Sequence, residues 1–280
     1  TAVTEVAAEV LSGAAVPGQV APLVDTSLTS TAGYQAPEYE SNQVRARTEQ
    51  DIRKNNPRMN DAAVAQRMEL YDKAVAASIL PEDTVSIRIK DKSLLKMLGE
   101  DEPRFKSQFE TGKSGGVNDP RFRSLAEEFG LGYSRMTPDA ERPIYGYVGA
   151  NTNVSSYGNV EVVLKQSVRP RTSITFGDSL IEFNRSGEVG TPMNAPRLEG
   201  AGLSRMAEAV APHSPSDVVG IANTLRNNTN VNGYVEAQVH GGVTVADFDK
   251  VIFHGKKPSP ALIESLDKYG IAWERVGDEK

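Results

Sequence analysis

A chain of 280 residues is long enough to bury a sizeable hydrophobic core, and its net charge of −6 argues against a nucleic-acid partner, because binding nucleic-acid phosphates requires a basic excess. The absence of cysteine excludes disulfides, thiol nucleophiles and cysteine-ligated metals, and three histidines without an HExxH pair argue against a zinc hydrolase. No apolar run approaches the roughly 18–20 residues of a membrane span, so we expect a soluble chain with no membrane partner and no metal.

The first 45 residues are rich in Ala, Thr, Ser, Val and Pro and show only weak periodicity. Such a segment buries too little apolar surface to offset the entropy of ordering it, so residues 1–45 are predicted to be disordered. The alternative is a leader that directs secretion without being cleaved, since the segment lacks the charged and then apolar layout of a cleavable signal peptide.

Helical periodicity follows, from residue 43 to about residue 80. One helix is predicted to begin at Thr48 in TEQDIRKN, and a second at Asn60 or Asp61, with apolar residues at i, i+3 and i+4 spacing. These helices constitute a predicted N-terminal helical lobe, about 46–80, of a single domain that spans 46–280.

The pattern then changes to short strands and helices. DTVSIRIKD alternates apolar and polar residues and is predicted to be a strand, and KSLLKMLGED a short helix that ends at Gly99. PRFKSQFETGKSGGVNDP is predicted to be a glycine-rich loop region, and PRFRSLAEEFGLG the helix after it. RPIYGYV, GNVEVVLK and RTSITFGDSL are predicted strands, and residues 182–206 a long irregular connection.

The last third of the chain also alternates between predicted helices and strands. SPSDVVGIANTLRNN is predicted to be a helix capped by Asp217 or Ser214, and SPALIESLDKYG another helix. GYVEAQVHGGV, FDKVIFHG and IAWERV are predicted strands, the last with Trp273 packed in the core. Helices followed by strands with interspersed helices indicate an α+β fold rather than a parallel βαβ array.

The strand within NGYVEAQVHGGVTV carries an unusual set of polar residues. Read at a period of two, it places small apolar residues on one face and four hydrogen-bonding side chains on the other. The apolar set is Val235, Ala237 and Val239, and the polar set is Tyr234, Glu236, Gln238 and His240. The strand is either an ordinary amphipathic strand with a polar outer face or one that lines a cleft with Glu236 at its floor.

The sequence lacks the common nucleotide-binding and hydrolase motifs. TGKSGG lacks the glycine five positions before its Gly-Lys pair that a P-loop requires, and the chain has neither a GxGxxG fingerprint nor a GxSxG elbow. The remaining candidates suit a ligand with a pyrophosphate, two riboses and a flat ring, because arginine binds phosphates and aromatic rings stack on flat rings. They are a glycine-rich turn after an aromatic strand (Phe109, Thr111, Gly112, Ser114), an Arg–Tyr–Gly strand (Arg142, Tyr145, Gly146), a Ser/Thr strand (Thr172, Ser173, Thr175, Phe176) and the glutamate strand.

Structural alternatives remain open for several candidates. Arg142 could instead form a surface ion pair, and Phe176 could be a core residue rather than a platform for a nicotinamide ring. The pair Asp178–Ser179 is interpreted as a turn or cap that closes its strand. His240 is interpreted as a hydrogen-bonded strand residue beside the site.

Four ordered blocks, FKSQFETGKSGG, ERPIYGYV, RTSITFGDS and GYVEAQVHGGV, resemble a bacterial domain family of unknown function, numbered 3626, over roughly residues 83–255. That family is similar to the mono-ADP-ribosyltransferase superfamily and to CteC-type bacterial effectors, which attach ADP-ribose to a threonine of host ubiquitin. The resemblance implies two packed, mostly antiparallel sheets in a split β-sandwich, with an N-terminal helical lobe and with NAD as co-substrate.

The resemblance also implies residue roles. Glu236 takes the role of the catalytic glutamate, and Thr172 or Ser173 that of the middle-strand hydroxyl. The phosphate anchor is either Arg142 or another basic residue, since Lys106 stands where relatives often have arginine. Tyr234 stands where many transferases have glutamate or glutamine, and Gln238 lies on the other side of Glu236.

The function expected from the resemblance is that of a monomeric effector toxin, secreted from a bacterium into the host cytosol, that transfers ADP-ribose from NAD to a host protein such as ubiquitin. Residues 48–80 and 182–206 are its candidate target-recognition segments. The chemistry is consistent with the residues, because a carboxylate facing the oxocarbenium-like state of nicotinamide–ribose cleavage lowers the barrier electrostatically. The alternatives are an NAD glycohydrolase and a non-catalytic binding module of the same fold.

Overall fold

The computed structural model describes residues 49–50, 52–112, 120–131, 133–149, 154–180, 191–192, 217–226 and 234–277. All of them belong to one compact unit, 31–280. The predictions for residues 1–45, for Thr48, Ser114 and Ser214, and for most of the connection 182–206 lie outside the described residues. Within these ranges no helix combines the length and the apolar character needed to cross a membrane.

Eight strands form one sheet, and the predicted α+β class with a mostly antiparallel sheet is confirmed. The strands are β1 (Val85–Ile89), β2 (Ile144–Val148), β3 (Val160–Leu164), β4 (Thr172–Phe176), β5 (Thr191–Pro192), β6 (Val235–Val239), β7 (Phe248–His254) and β8 (Ala272–Val276). Their order is β5-β4-β6-β2-β1-β3-β7-β8, and every neighbouring pair is antiparallel except β7 with β8.

Only a short ladder joins the central strands β1 and β2. β1 and β2 pair only at Val85↔Val148 and Ser86↔Tyr147, whereas β2 and β6 pair along five positions. A Cβ atom on Gly146 would lie 2.5 Å from the carbonyl oxygen of Ser86, so glycine is what allows β2 to approach β1 this closely. The expectation of two separate packed sheets is therefore wrong, because this short ladder joins all the described strands in one hydrogen-bonded sheet.

Residues 49–50 and 52–55 are helical, as predicted for the helix that begins at Thr48, and the other described α-helices are α1 (Asp61–Ser78), α2 (Asp91–Leu98), α3 (Gln108–Thr111), α4 (Pro120–Leu131), α5 (Val218–Arg226) and α6 (Pro260–Lys268). α1 packs against α5, and α2 packs against α6. Apolar residues of these four helices join one core cluster with one face of the sheet, including Ile87, Val162 and Ala237. Trp273 packs against this core, with its ring edge-on to Phe253, as predicted.

The opposite face of the central strands is polar. The register places Ser173, Gln238 and Tyr145 side by side on β4, β6 and β2, and Thr175, Glu236 and Tyr147 two residues further along the same strands. The predicted division of the β6 side chains into an apolar and a polar face is thus confirmed. Every residue of β6 is buried, so the polar face is covered rather than exposed to solvent.

Capping residues set the helix starts. Asn60 accepts a hydrogen bond from the backbone N–H of Ala63, and Asp217 accepts one from Gly220, as predicted for α1 and α5. α3 was not predicted: Ser107 and Glu110 form a reciprocal capping box that turns the start of the supposed glycine-rich loop into a helix. Phe109 therefore lies on a helix and not on an aromatic strand.

Gly158 precedes β3 at a point where the backbone leaves no room for a side chain. A Cβ atom there would lie 2.2 Å from both the carbonyl carbon and the carbonyl oxygen of Ile89. We expect Gly158→Ala to lower the free energy of unfolding by about 1–3 kcal/mol, because the backbone of β1 has to shift. Urea denaturation checks this, with Gly277→Ala as the control, since nothing lies within 4 Å of a Cβ there. Equal stability losses in the two variants would contradict the packing argument.

Candidate functional site

A cleft of about 570 Å³ opens where β1 and β2 stop pairing. Its volume falls in the range of roughly 300–1,000 Å³ that is typical of small-molecule and cofactor sites. Its walls carry two carboxylates, two arginines and several aromatic rings, among them Asp178, Glu236, Arg88, Arg123, Tyr145 and Tyr234. No group of three or more His, Asp or Glu side chains in the described part of the chain is arranged to hold a metal ion.

Glu236 lies on the wall of this cleft and is only 3% exposed. Its Oε1 accepts hydrogen bonds from Gln238 Nε2 at 2.9 Å and from the backbone N–H of Ser179 at 3.3 Å, and its Oε2 accepts one from the Tyr234 hydroxyl at 3.4 Å. Burial raises the pKa of Glu236 to about 7, with the negative charge of Asp178 adding to the rise and the positive charge of Arg123 opposing it. The carboxylate is therefore held in one orientation while remaining able to titrate near neutral pH.

Two further predicted residues lie behind Glu236. Gln238 also donates through Nε2 to Thr175 Oγ1 at 3.1 Å, and its Oε1 accepts from Ser173 Oγ at 2.9 Å. Ser173 and Gln238 thus support the glutamate rather than line the cleft. Thr172 points elsewhere, since its hydroxyl donates to the carbonyl oxygen of Val168 at 2.8 Å.

Arg123, on α4, is a cleft residue that the sequence reasoning missed. Its side chain is buried, with 4% exposure; Nη1 donates to Ser179 Oγ at 2.7 Å, and the guanidinium lies 4.2 Å above the centre of the Tyr145 ring. Its Nε has no hydrogen-bond partner among the residues that the structure describes. The surrounding sequence, PRFRSL, contains no motif that would have identified Arg123.

Arg88, on β1, is the second missed cation. Its Nε donates to the Tyr147 hydroxyl at 3.1 Å, and its Nη2 lies 3.7 Å from Glu161 Oε2. Glu161 in turn bonds His254 Nε2 at 2.9 Å. The strand alternation had placed Arg88 on the polar side of DTVSIRIKD, and that signal could have identified it.

Arg142 does not occupy the predicted anchor position. It is 3% exposed and donates through Nη1 to Glu127 Oε2 at 2.9 Å and through Nη2 to two backbone carbonyl oxygens. Its guanidinium lies 4.3 Å from the centre of the Phe109 ring. Arg142 and Phe109 therefore form a structural cluster outside the cleft lining, and the alternative of a surface ion pair is also wrong, because Glu127 is fully buried.

Some of the remaining predicted residues line the cleft and others do not. Thr111, Tyr145 and Gly146 line the cleft. Gly112 ends α3 in the left-handed conformation (φ 64°), and Phe176 is a fully buried member of the main core, so its ring is not a ligand platform. The Tyr145 hydroxyl donates to Glu127 Oε1 at 2.8 Å, which links the structural cluster to the cleft.

Comparison with known proteins finds relatives encoded by mycobacteriophages. No family model matches the chain. The Gene 2 protein of Mycobacterium phage L5 is 30% identical over 249 residues, a match that covers 80% of this chain and 92% of the phage protein. The Gene 2 protein of Mycobacterium phage D29 is 34% identical over 194 residues, covering 66% of this chain and 70% of its own length. This chain therefore belongs to the mycobacteriophage Gene 2 protein family.

Removing the positive member of the buried Arg142–Glu127 pair is expected to destabilise the fold. We expect Arg142→Met to lower the free energy of unfolding by about 3–5 kcal/mol, because Glu127 keeps its buried charge without its cation. The same substitution at Arg135, whose ion pair with Glu128 is largely exposed, is expected to lower it by less than about 1 kcal/mol. Denaturant unfolding measures both; if the two variants lose similar stability, the Arg142–Glu127 pair is not structural.

The raised pKa of Glu236 has a consequence for stability. Because the folded-state pKa of about 7 lies above the ordinary glutamate pKa of 4.5, the folded protein binds more protons than the unfolded chain between these pH values. This carboxyl therefore makes folding progressively less favourable as pH rises through that window. We expect Glu236→Gln to match the wild type near pH 4 and to exceed it by roughly 3 kcal/mol at pH 8. Urea unfolding at both pH values tests this, and a stability difference that does not change with pH would contradict it.

Proposed function

We propose that this member of the Gene 2 protein family is a mono-ADP-ribosyltransferase that moves ADP-ribose from NAD to a protein side chain and releases nicotinamide. The observation that carries the proposal is the Glu236 carboxylate, buried at the cleft wall and oriented by three donors. The proposal includes an ADP-ribosyltransferase-like interpretation of the fold, which is supported by the short β1–β2 ladder beside the cleft.

The chemistry follows from the position of this carboxylate. Cleaving the nicotinamide–ribose bond leaves the bonding electron pair on nicotinamide and develops positive charge on the ribose. A negative group fixed beside that charge stabilises it more than it stabilises the ground state. An acceptor oxygen of the target protein then bonds to the anomeric carbon, and its proton leaves to solvent. Nicotinamide departs as a neutral molecule, so the step does not require a strong acid.

The cleft suits NAD in charge and shape. The Nε of Arg123 is a buried donor without a partner among the described residues, and a phosphate oxygen would satisfy it. Arg88 adds a second cation at the β1 wall, and tyrosine rings offer faces on which flat rings can stack. We therefore assign the role of phosphate anchor to Arg123, with Arg88 beside it, in place of Arg142.

Two observations suggest where to look for the protein that accepts ADP-ribose. The resemblance to CteC-type effectors suggests a threonine of ubiquitin and delivery into a host cell. The Gene 2 proteins that match this chain are encoded by mycobacteriophages. We therefore extend the search for the acceptor to the proteins of a mycobacterium.

The test uses labelled NAD with a mycobacterial lysate and, separately, with a eukaryotic lysate supplemented with ubiquitin. We expect the wild type to label protein and Glu236→Ala to label it about 100–1,000-fold more slowly, the usual effect of removing one transition-state charge contact. Glu264→Ala, on the exposed face of α6, is the matched control and should label as the wild type does.

Three other outcomes would overturn the proposal in different ways. Nicotinamide release without labelled protein would indicate an NAD glycohydrolase. Equal labelling by the wild type and Glu236→Ala would place the catalytic carboxylate elsewhere. Absence of label, together with an unchanged Tm in NAD, would exclude this cleft as an NAD site, because a ligand that binds only the folded state must stabilise it.

A further inference from the structure

A line of buried hydrogen bonds runs from Tyr133, just after α4, to Glu236. The Tyr133 hydroxyl lies 2.6 Å from His240 Nδ1, and His240 Nε2 lies 2.9 Å from Ser173 Oγ. Ser173 Oγ then lies 2.9 Å from Gln238 Oε1, and Gln238 Nε2 lies 2.9 Å from Glu236 Oε1. All five side chains are at least 95% buried, so no bulk water competes for these bonds. We call this line the donor chain.

The chemistry of each group fixes the direction of the donor chain. An ionised Glu236 only accepts, so Gln238 must present its amide nitrogen to it and its amide oxygen to Ser173. Ser173 has a single proton and donates it to that oxygen, so it must accept from His240 Nε2–H. A neutral imidazole that carries its proton on Nε2 accepts at Nδ1, where the Tyr133 hydroxyl donates. Every donor therefore points toward Glu236.

His240 stays neutral in this arrangement. Burial, with a smaller contribution from the positive charge of Arg171, lowers the pKa of His240 to about 3. The imidazole therefore does not carry a charge into the donor chain at neutral pH, and its only variable is the position of its one proton. With that proton on Nε2, the Tyr133 hydroxyl donates to Nδ1 and stabilises this tautomer.

We propose that Tyr133 and His240 are positioning residues that align the donor chain toward Glu236, hold its carboxylate orientation and favour its ionised form. Aligned hydrogen bonds polarise one another, so the last bond to the carboxylate is stronger than an isolated amide contact. The proposal deepens the proposed function, in which Glu236 must be ionised to stabilise positive charge. It assigns a role to two residues outside the cleft lining.

Other groups also set the charge state of Glu236 and are unchanged in the test. Asp178 and Arg123 face it from just after β4 and from α4, and three tyrosines face it, one on β2, one in the turn before β3 and one just before β6. These tyrosines are Tyr145, Tyr157 and Tyr234. His240 is faced by Arg171 and Tyr133. The test therefore compares variants that keep all the groups around Glu236 and alter only the far end of the donor chain.

Tyr133→Phe removes one hydroxyl at that far end. Without it, the imidazole can carry its proton on Nδ1, and Ser173 can then turn its own proton toward Nε2 and away from Gln238. We expect the pKa of the Glu236 carboxyl to rise by roughly half a unit to one unit relative to the wild type, because its ionised form loses part of its stabilisation. ¹³C NMR of protein labelled at glutamate carboxyls measures this pKa, with Glu236→Gln identifying the resonance.

Two further variants test the mechanism. His240→Leu interrupts the donor chain and is expected to raise the Glu236 pKa as Tyr133→Phe does, whereas His240→Gln keeps a donor for Ser173 and is expected to stay closer to the wild type. Tyr71→Phe, which removes another buried hydroxyl in α1, is the control and should leave the Glu236 pKa unchanged. In active protein, the acid limb of the pH dependence of nicotinamide release should move by the same amount as the NMR value.

An unchanged Glu236 pKa in both Tyr133→Phe and His240→Leu would overturn the proposal and leave these residues with a packing role alone. A rise in His240→Gln as large as that in His240→Leu would also overturn it, because the direction of the donor chain would then not matter. The NMR measurement needs no NAD and no turnover. A negative result for ADP-ribose transfer therefore stays distinguishable from a negative result for the donor chain.

Discussion

The cost of keeping the Glu236 carboxylate out of water determines most of the polar structure around it. A buried carboxylate needs hydrogen-bond donors, and those within reach are Gln238 on its own strand, Tyr234 just before that strand and the backbone N–H of Ser179 after β4. Because β4 and β6 pair in register along five positions, their polar side chains meet on one face, while their apolar side chains enter the core. The period-two polar pattern of β6 is thus the arrangement that lets a sheet hold an acidic group in its interior.

The cleft in front of Glu236 depends on a second constraint, the short ladder between β1 and β2 that joins the two halves of the sheet. Two paired positions and a glycine at closest approach join β1 to β2, and beyond them the strands leave space that side chains line but do not fill. α4 adds a wall that carries Arg123, and the buried Glu127–Arg142 pair fixes that helix near the start of β2. The structural cluster and the cleft are coupled through Tyr145, which bonds Glu127 and stacks under Arg123.

Alternation within a strand and capping at a helix start are local properties, and for that reason the sequence was sufficient to predict most helices, the two faces of β6 and every strand except β5, which lies in the connection predicted to be irregular. Arg142 and Phe176 show where such reasoning stops. Whether an arginine faces a ligand depends on a partner from another element, here Glu127 on α4, and no local pattern reports that. The sequence did not identify Arg123 and Tyr133 for the same reason, since their side chains reach these positions only when α4 and the segment after it pack against the sheet.

A crystal structure of the Glu236→Gln variant soaked with NAD tests the proposed NAD site most directly, since the variant keeps the shape of the cleft but lacks the charge to which we attribute cleavage. We expect intact NAD between β1 and β2, with the nicotinamide ribose beside position 236 and a phosphate oxygen on Arg123. NAD bound elsewhere, or bound in this cleft with its adenine at Glu236, would contradict it.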